Sequence, residues 1–245
     1  SSDLALSLSC YAKSASVTGP KNISFQSSGE TVHGVLYQPQ GAGPFPAIVI
    51  IHEWWGLDSW VKQQARMFAE HGYVTLAVDL YRGQVTDDPE VAHELMRGLP
   101  QTRGVGYLTS AVAYMKTLKI VEPNRIGAVG WCMGGTFAMQ LAVAEPSLRA
   151  VAINYGAPET DPAQLKKIHA AILGNYGARD RGITPGDVGA FAAEMQKIGH
   201  PVNVKEYPDA GHAFQNPSNK GGYRAADTAD ADRRMVVFFR THLKD

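Results

Sequence analysis

The chain has 245 residues, of which 44% are hydrophobic and 19% charged, enough to bury the core of one large α/β domain. Its 23 basic and 23 acidic side chains give a balanced charge, which argues against nucleic acid or an anionic membrane as the main partner. No apolar run approaches the ~20 residues that span a bilayer, and the two cysteines are too few for a disulfide framework or a four-thiolate metal site.

The N-terminal segment, residues 1–20, is predicted to be a flexible or weakly docked tail, and residues 21–245 a single domain. The first residue is Ser1 rather than Met, which leaves the compartment undecided. The polar stretch near the start lacks the basic and apolar regions of a signal peptide, so a cytoplasmic location is favoured. A processed exported form stays the alternative.

The elements that follow alternate between strand and helix patterns. Residues 22–37 alternate around Ser28-Gly29 and predict an antiparallel hairpin, and the aliphatic run 47–51 predicts a strand buried on both faces. Asp58 is predicted to cap a helix that reaches residue 71. Further strands are predicted at 73–78, 125–129, 150–155, 170–175 and 202–207, with helices at 89–119 (broken near 98–100), 134–144, 185–198 and around Met235–Phe239. This order predicts an α/β fold, a doubly wound and mostly parallel sheet with helices on both faces.

The strongest local signal is the glycine-flanked segment at residues 130–135, centred on Cys132. It follows a predicted strand and opens a helix, which is the context that a nucleophile elbow requires. Flanking glycines allow a tight turn whose central residue has a strained backbone. A helix N-terminus favours the reactive thiolate of a cysteine, and the backbone N–H of Met133 is predicted to face the same site. The alternative is a small buried cysteine packed between helix and sheet.

A nucleophile of this kind needs a base and a group that orients the base. Of the eight histidines, only His212 combines a loop at the carboxyl edge of the sheet with a position after Cys132 in the chain. Asp180, in the loop after the strand 170–175, is the predicted acid. Asp187 and Asp209 are the alternatives, the first as part of a helix's opening turn and the second as a local turn residue.

From about residue 32 to residue 243 the chain resembles the dienelactone hydrolase family (carboxymethylenebutenolidases) of the α/β-hydrolase fold. The motifs that carry the resemblance are His52-Glu53-Trp54-Trp55-Gly56, Asp79-Leu80-Tyr81, Gly130-Trp131-Cys132-Met133-Gly134-Gly135, Ala178-Arg179-Asp180 and Gly211-His212-Ala213-Phe214.

The resemblance implies a Cys132–His212–Asp180 triad. It also implies that Glu53 takes the thiol proton when substrate binding rearranges the site, which protects the resting thiol from oxidation. A glutamate paired with a nearby arginine at the pocket rim is the alternative. The backbone N–H of Trp54 is implied to join that of Met133 in an oxyanion hole.

Pocket walls and substrate contacts follow from the same motifs. The predicted walls are Trp55, Tyr81, Trp131 and Phe214, with ordinary packing as the alternative for each. Family members hold a substrate carboxylate with arginines, one of them four residues after the catalytic histidine, where this chain has Asn216. Arg82 is predicted to supply a carboxylate contact instead, with a solvated surface arginine as the alternative.

The predicted function is hydrolysis of a small ester or lactone through a thioester acyl-enzyme. A general carboxylesterase acting on aryl or short-chain alkyl esters is the first alternative, and a non-catalytic thiol sensor is the second. No cofactor and no metal are predicted, since the sequence has neither a dinucleotide fingerprint nor a complete zinc motif. The expected partner is the small-molecule substrate, without nucleic acid or membrane, and the expected state is a monomer or small homo-oligomer.

Overall fold

The computed structural model describes residues 15–245. The strands are β1 Val17–Ser27, β2 Glu30–Pro39, β3 Phe45–Ile51, β4 Val74–Val78, β5 Val121–Trp131, β6 Ala150–Asn154, β7 Ala171–Gly177 and β8 Asn203–Tyr207. The helices are α1 Ser59–Glu70, α2 Pro89–Arg97, α3 Gln101–Thr117, α4 Met133–Ala144, α5 Pro162–Leu165, α6 Pro185–Lys197 and α7 Ala225–Leu243.

The eight strands form one mixed sheet in the order β1-β2-β4-β3-β5-β6-β7-β8. The hairpin β1–β2 is antiparallel, and β2 pairs with β4 in the same way. All remaining neighbours are parallel. The predicted α/β fold with a mostly parallel sheet is confirmed. Because parallel strands end at the same edge, the loops after β3, β4, β5, β6, β7 and β8 meet there.

Helices cover both faces of this sheet, and β3 separates two apolar cores. Val49 and Ile51 pack into the core that includes buried residues of α3 and α4. Ile48 and Ile50 pack into the core formed with α1 and α7. Each of these four side chains is completely buried, which explains the continuous aliphatic pattern of this strand.

The predicted boundaries hold for most elements. The Asp58 side chain accepts a hydrogen bond from the Val61 N–H at 2.9 Å and caps α1. The long helical region breaks between α2 and α3 as predicted, and the single turn α5 was not predicted. Among residues 15–245, no helix has both the length and the apolar character needed to cross a bilayer.

The predicted tail requires a correction at its end. The edge strand β1 begins at Val17, so residues 17–20 belong to the sheet rather than to the tail. The pairing register shifts between Thr18 and Lys21, which interrupts the alternation that a strand needs to be recognised in sequence. Residues 1–14, with Cys10, lie outside the part of the chain that the structure describes.

The close approach of α4 to the end of β3 depends on Gly134. A Cβ there would lie 2.5 Å from the carbonyl oxygen of His52 and nearer still to that of Ile51. We expect Gly134→Ala to lower the free energy of unfolding by about 1–3 kcal/mol, because backbone must shift to admit the methyl group. Urea unfolding followed by circular dichroism measures the change.

Gly189 of α6 provides the matched control, since a Cβ there would meet nothing within 4 Å. Gly189→Ala should leave stability unchanged or raise it by up to about 1 kcal/mol through helix propensity. An unfolding curve for Gly134→Ala that coincides with that of the wild type would contradict the packing argument.

Candidate active site

The turn between β5 and α4 presents Cys132 at the carboxyl edge of the sheet. Its φ of 55° and ψ of −120° place it in a strained backbone conformation. A Cβ on Gly130 would collide with the carbonyl group of Gly134 and lie 2.8 Å from the Gly135 nitrogen. The Cys132 N–H donates to the Asn154 carbonyl at 3.0 Å. These contacts fix the thiol at the N-terminus of α4, as the elbow pattern predicted.

The loop between β8 and α7 brings His212 to the same edge. His212 Nε2 lies 3.1 Å from Cys132 Sγ, and His212 Nδ1 lies 2.6 Å from Asp180 Oδ2. The imidazole is 40% exposed, whereas the Asp180 side chain is 2% exposed. The structure therefore brings the three predicted residues into one hydrogen-bonded line that reaches from a buried carboxylate to an accessible sulfur.

Both oxygens of the Asp180 carboxylate are held by hydrogen bonds. Its Oδ1 accepts the backbone N–H groups of Gly182 at 2.8 Å and Ile183 at 3.1 Å, which leaves Oδ2 for His212. Burial raises its pKa, but the hydrogen bonds from His212 and these amides outweigh burial and hold the pKa of Asp180 below its usual range. This carboxylate is thus charged at neutral pH and orients the ring.

The two sequence alternatives for the acid have other partners. Asp187 accepts from the backbone and hydroxyl groups of Thr184 in a capping box at the start of α6. Asp209 forms an exposed ion pair with Arg179. Neither carboxylate has a hydrogen bond to an imidazole.

The environment of His212 favours its protonated form. Burial lowers its pKa, but the hydrogen bonds to Asp180 and Cys132 and the attraction of their charges prevail, and raise the pKa of His212 to about 10. A proton that reaches this ring is therefore held strongly while both neighbours are anionic.

Glu53, in the loop after β3, is 2% exposed and has two neutral hydrogen-bond donors. The Tyr155 hydroxyl donates to Oε1 at 3.1 Å, and Asn216 Nδ2 donates to Oε2 at 2.6 Å. Burial prevails over these hydrogen bonds and raises the pKa of Glu53 to about 7. The alternative of a glutamate paired with an arginine does not fit, because both hydrogen-bond donors are uncharged.

Tyr155 and Asn216 were not predicted as Glu53 partners. Tyr155 directly follows β6 with a φ of 39°, is completely buried, and packs edge-on to the His212 ring at 5.3 Å. Its place at the carboxyl end of a parallel strand was a usable signal, since that edge collects functional groups. Asn216 was singled out only as a departure from the family pattern.

A cavity of about 570 Å³ opens beside these groups and is lined by Cys132, His212 and Glu53. Its apolar walls are Trp54, Trp55 and Met96. The loop after the histidine supplies the rest, namely Ala213, Asn216, Ser218, Asn219 and Lys220. A site of this size with apolar walls and a few polar groups suits a small organic molecule.

Of the four predicted pocket walls, only Trp55 lines this cavity. The Tyr81 hydroxyl lies 3.2 Å from Met133 Sδ. Trp131 is completely buried, and its indole N–H donates to Gln215 Oε1 at 3.0 Å. Phe214 is also completely buried. These three aromatic residues belong to the apolar cores instead.

Arg82 also has a different role from the one predicted. Its guanidinium forms a bidentate ion pair with Glu30 at 2.8 and 2.9 Å, and Nε contacts the Tyr107 hydroxyl. Arg82 does not line the cavity. Among residues 15–245, Lys220 is the one lysine or arginine in the cavity lining. The protein's own carboxylate, at the start of β2, takes the place of the expected substrate group.

Two further predicted groups are the backbone amides of Trp54 and Met133. Trp54 lies in the loop after β3, and Met133 is the first residue of α4. In residues 15–245 no group of three or more His, Cys, Asp or Glu side chains is arranged to hold a metal ion.

Known proteins resemble this chain in sequence and in fold. The model of the dienelactone hydrolase family matches residues 32–243. Protein usf of Aquifex pyrophilus is 30% identical over 228 residues, which cover 90% of this chain and 98% of that protein. The Aquifex aeolicus (strain VF5) protein named "Putative carboxymethylenebutenolidase" is 31% identical over 229 residues, covering 91% and 98%.

A solved structure shares the fold. The dienelactone hydrolase-like promiscuous phosphotriesterase from metagenomic libraries superposes with a TM-score of 0.84 at 20% identity, covering 94% of this chain and 99% of its own. The chain therefore belongs to the dienelactone hydrolase family, and it is a carboxymethylenebutenolidase-like ester or lactone hydrolase.

Proposed function

We propose that this protein hydrolyses small esters or lactones with Cys132 as the nucleophile, His212 as the base and Asp180 as the group that orients the base. The observation that carries the proposal is the pair of hydrogen bonds at 3.1 and 2.6 Å that join these side chains beside a small-molecule cavity. Geometry within hydrogen-bond reach is the first requirement for a nucleophile and its base.

In the acylation step His212 Nε2 takes the thiol proton, and the sulfur of Cys132 bonds to the substrate carbonyl carbon. The carbonyl electrons move to oxygen, where the backbone N–H groups of Met133 and Trp54 stabilise the charge. A single oxyanion donor of this kind lowers a barrier by roughly 3 kcal/mol. The carbon–oxygen bond to the leaving group then breaks, and the leaving oxygen takes the proton from the imidazolium.

In the deacylation step His212 removes a proton from water, and the resulting hydroxide adds to the thioester carbon. The carbon–sulfur bond breaks and the acid is released. The proton on His212 then restores the thiol of Cys132. Asp180 keeps Nδ1 protonated throughout, so that Nε2 accepts a proton in both steps.

Glu53 is proposed as a second proton acceptor in the same cavity. When a bound substrate rearranges the site, Glu53 takes the thiol proton in place of His212 and then gives it to the leaving oxygen. His212 activates water in the deacylation step in either case. The support for this role is a buried carboxyl beside the cavity whose pKa, at about 7, lies close to a neutral operating pH.

The nucleophile is tested by Cys132→Ala. Turnover of both an enol-lactone and an aryl acetate should fall by at least about 1,000-fold, because the variant lacks the sulfur that forms the acyl-enzyme. Steady-state hydrolysis rates measure the loss. Cys10→Ala, at the only other cysteine in the sequence, is the control and should leave both rates unchanged. Unaltered turnover in Cys132→Ala would end the proposal.

The acid is tested by Asp180→Asn against Asp209→Asn. The amide at position 180 reverses the hydrogen bond to Nδ1 and favours the wrong tautomer, so kcat should fall about 100- to 10,000-fold. The exposed Asp209, paired with Arg179, should tolerate the same change within about twofold. Equal losses in the two variants would assign no special role to Asp180.

The burial of Glu53 predicts a pH-dependent difference in stability between Glu53→Gln and the wild type. The carboxyl has a folded pKa of about 7, above its ordinary value of 4.5. The stability that this raised pKa contributes is therefore complete below pH 4.5 and is lost as the pH rises to about 7. Glutamine stays neutral throughout.

The free energy of unfolding of Glu53→Gln, relative to the wild type, should thus increase by about 3 kcal/mol between about pH 4 and about pH 8. Urea unfolding at both pH values measures it, with Glu94→Gln on the exposed face of α2 as the control that shows no such increase. The variant's kcat should fall at least about tenfold. A stability difference that does not depend on pH would contradict the raised pKa of the buried Glu53 carboxyl.

A further inference from the structure

A buried group of side-chain amides lies beneath the elbow, and the reaction described above does not use it. The Asn154 Oδ1 accepts hydrogen bonds from Asn175 Nδ2 and from Gln215 Nε2, both at 2.9 Å. Gln215 Oε1 in turn accepts the indole N–H of Trp131 at 3.0 Å. All four residues are at most 1% exposed, so each of these hydrogen bonds is shielded from water.

The amide of Gln215 joins the two segments that carry the reacting atoms. Gln215 lies three residues after His212, whereas Trp131 directly precedes Cys132. Its other partner, Asn154, also holds the elbow: the Asn154 carbonyl accepts the Cys132 N–H at 3.0 Å, and Asn154 Nδ2 donates to the Gly130 carbonyl at 3.2 Å. The oxygen and the nitrogen of the Gln215 amide therefore both form hydrogen bonds with residues that hold the elbow in place.

The segment that bears His212 needs such a connection, because residues 208–224 contain no helix or strand. Several of its hydrogen bonds are internal or reach the start of α7. Asn219 Nδ2 donates to the His212 carbonyl at 3.1 Å, and Thr228 Oγ1 donates to the Phe214 carbonyl at 3.2 Å. Asn216 reaches Glu53. Gln215, by contrast, reaches Trp131 and Asn154, which hold the elbow.

The energetics favour a rigid link. A buried amide that loses a partner leaves unsatisfied polar atoms, at a cost of about 1–3 kcal/mol each. The loop cannot move away from the elbow without breaking both hydrogen bonds of Gln215, so small displacements of His212 relative to Cys132 are resisted.

We propose that Gln215 is a positioning residue that sets the distance between His212 Nε2 and Cys132 Sγ by tying the histidine loop to Trp131 and Asn154. The inference rests on the proposed function, since it concerns the same thiol–imidazole pair. Gln215 itself does not line the cavity and acts through His212.

The test is Gln215→Leu, which keeps the bulk and removes both hydrogen bonds. We expect kcat to fall about 10- to 100-fold with KM within about twofold, since misplacement by about 1 Å weakens proton transfer more than substrate binding. Alkylation of Cys132 by iodoacetamide should slow about tenfold at about pH 6, because a displaced imidazole accepts the thiol proton less well, and stay unchanged at about pH 10, where hydroxide removes that proton. Reduced stability with an unchanged kcat and alkylation profile would overturn the proposal.

A milder variant keeps the test valid if Gln215→Leu folds poorly. Trp131→Phe removes the indole N–H with part of the ring and leaves the hydrogen bond from Gln215 to Asn154 in place. It should shift the alkylation profile in the same direction by a smaller factor. Combined with Gln215→Leu it should add little, because both variants break the same hydrogen bond. Thr75→Val is the control: it removes a buried hydroxyl that donates to the Ala65 carbonyl at 2.9 Å, away from the site, and should leave the profile unchanged.

His212→Ala separates the two proposals. If that variant leaves alkylation at about pH 6 at the wild-type rate, the thiol–imidazole pair is wrong and the proposed function fails with it. If His212→Ala slows alkylation and neither Gln215→Leu nor Trp131→Phe does, only the positioning role of Gln215 is excluded.

Discussion

The hydrogen bond between Cys132 Sγ and His212 Nε2, at 3.1 Å, is the contact on which the proposed chemistry depends. Its two residues are 80 positions apart in the chain, and no local preference brings them together. The parallel sheet does so, because β5 and β8 end at the same edge and each continues into a loop there. Asp180, after β7, completes the line from the strand between β6 and β8. The fold thus brings the nucleophile, the acid and the base together at the ends of three strands.

Backbone strain is concentrated at this edge. Cys132, Tyr155 and Ala213 all have positive φ values, at 55°, 39° and 54°, and they follow or flank the strand ends that carry the site. Such conformations persist only where surrounding contacts over-determine them. The contacts here include the glycine-lined elbow and the amides of Asn154 and Gln215. The same edge also carries an electrostatic cost, because the fold buries the carboxyl of Glu53, whose charged form burial disfavours.

Much of this arrangement could be predicted from sequence, where the signal was local. The glycines around Cys132, the aliphatic run of β3 and the cap at Asp58 each follow from the conformational or burial requirement of a few adjacent residues. Apart from the grouping of Cys132, His212 and Asp180, which the chain order and the family resemblance implied, contacts between distant segments could not be predicted. Arg82 faces Glu30, 52 positions away, and the direction of the Trp131 and Phe214 side chains depends on how the whole sheet packs. The same holds for Gln215, whose partners only the folded chain identifies.

An acyl-enzyme on Cys132 can be detected by rapid-quench mass spectrometry of the intact protein during turnover of a slowly hydrolysed ester. We expect a transient increase in mass equal to the acyl group, lost on treatment with hydroxylamine and located by digestion on the peptide that contains Cys132. An acyl group on another residue, or hydrolysis at full rate with no adduct under conditions that should accumulate one, would contradict the assignment of Cys132 as the nucleophile.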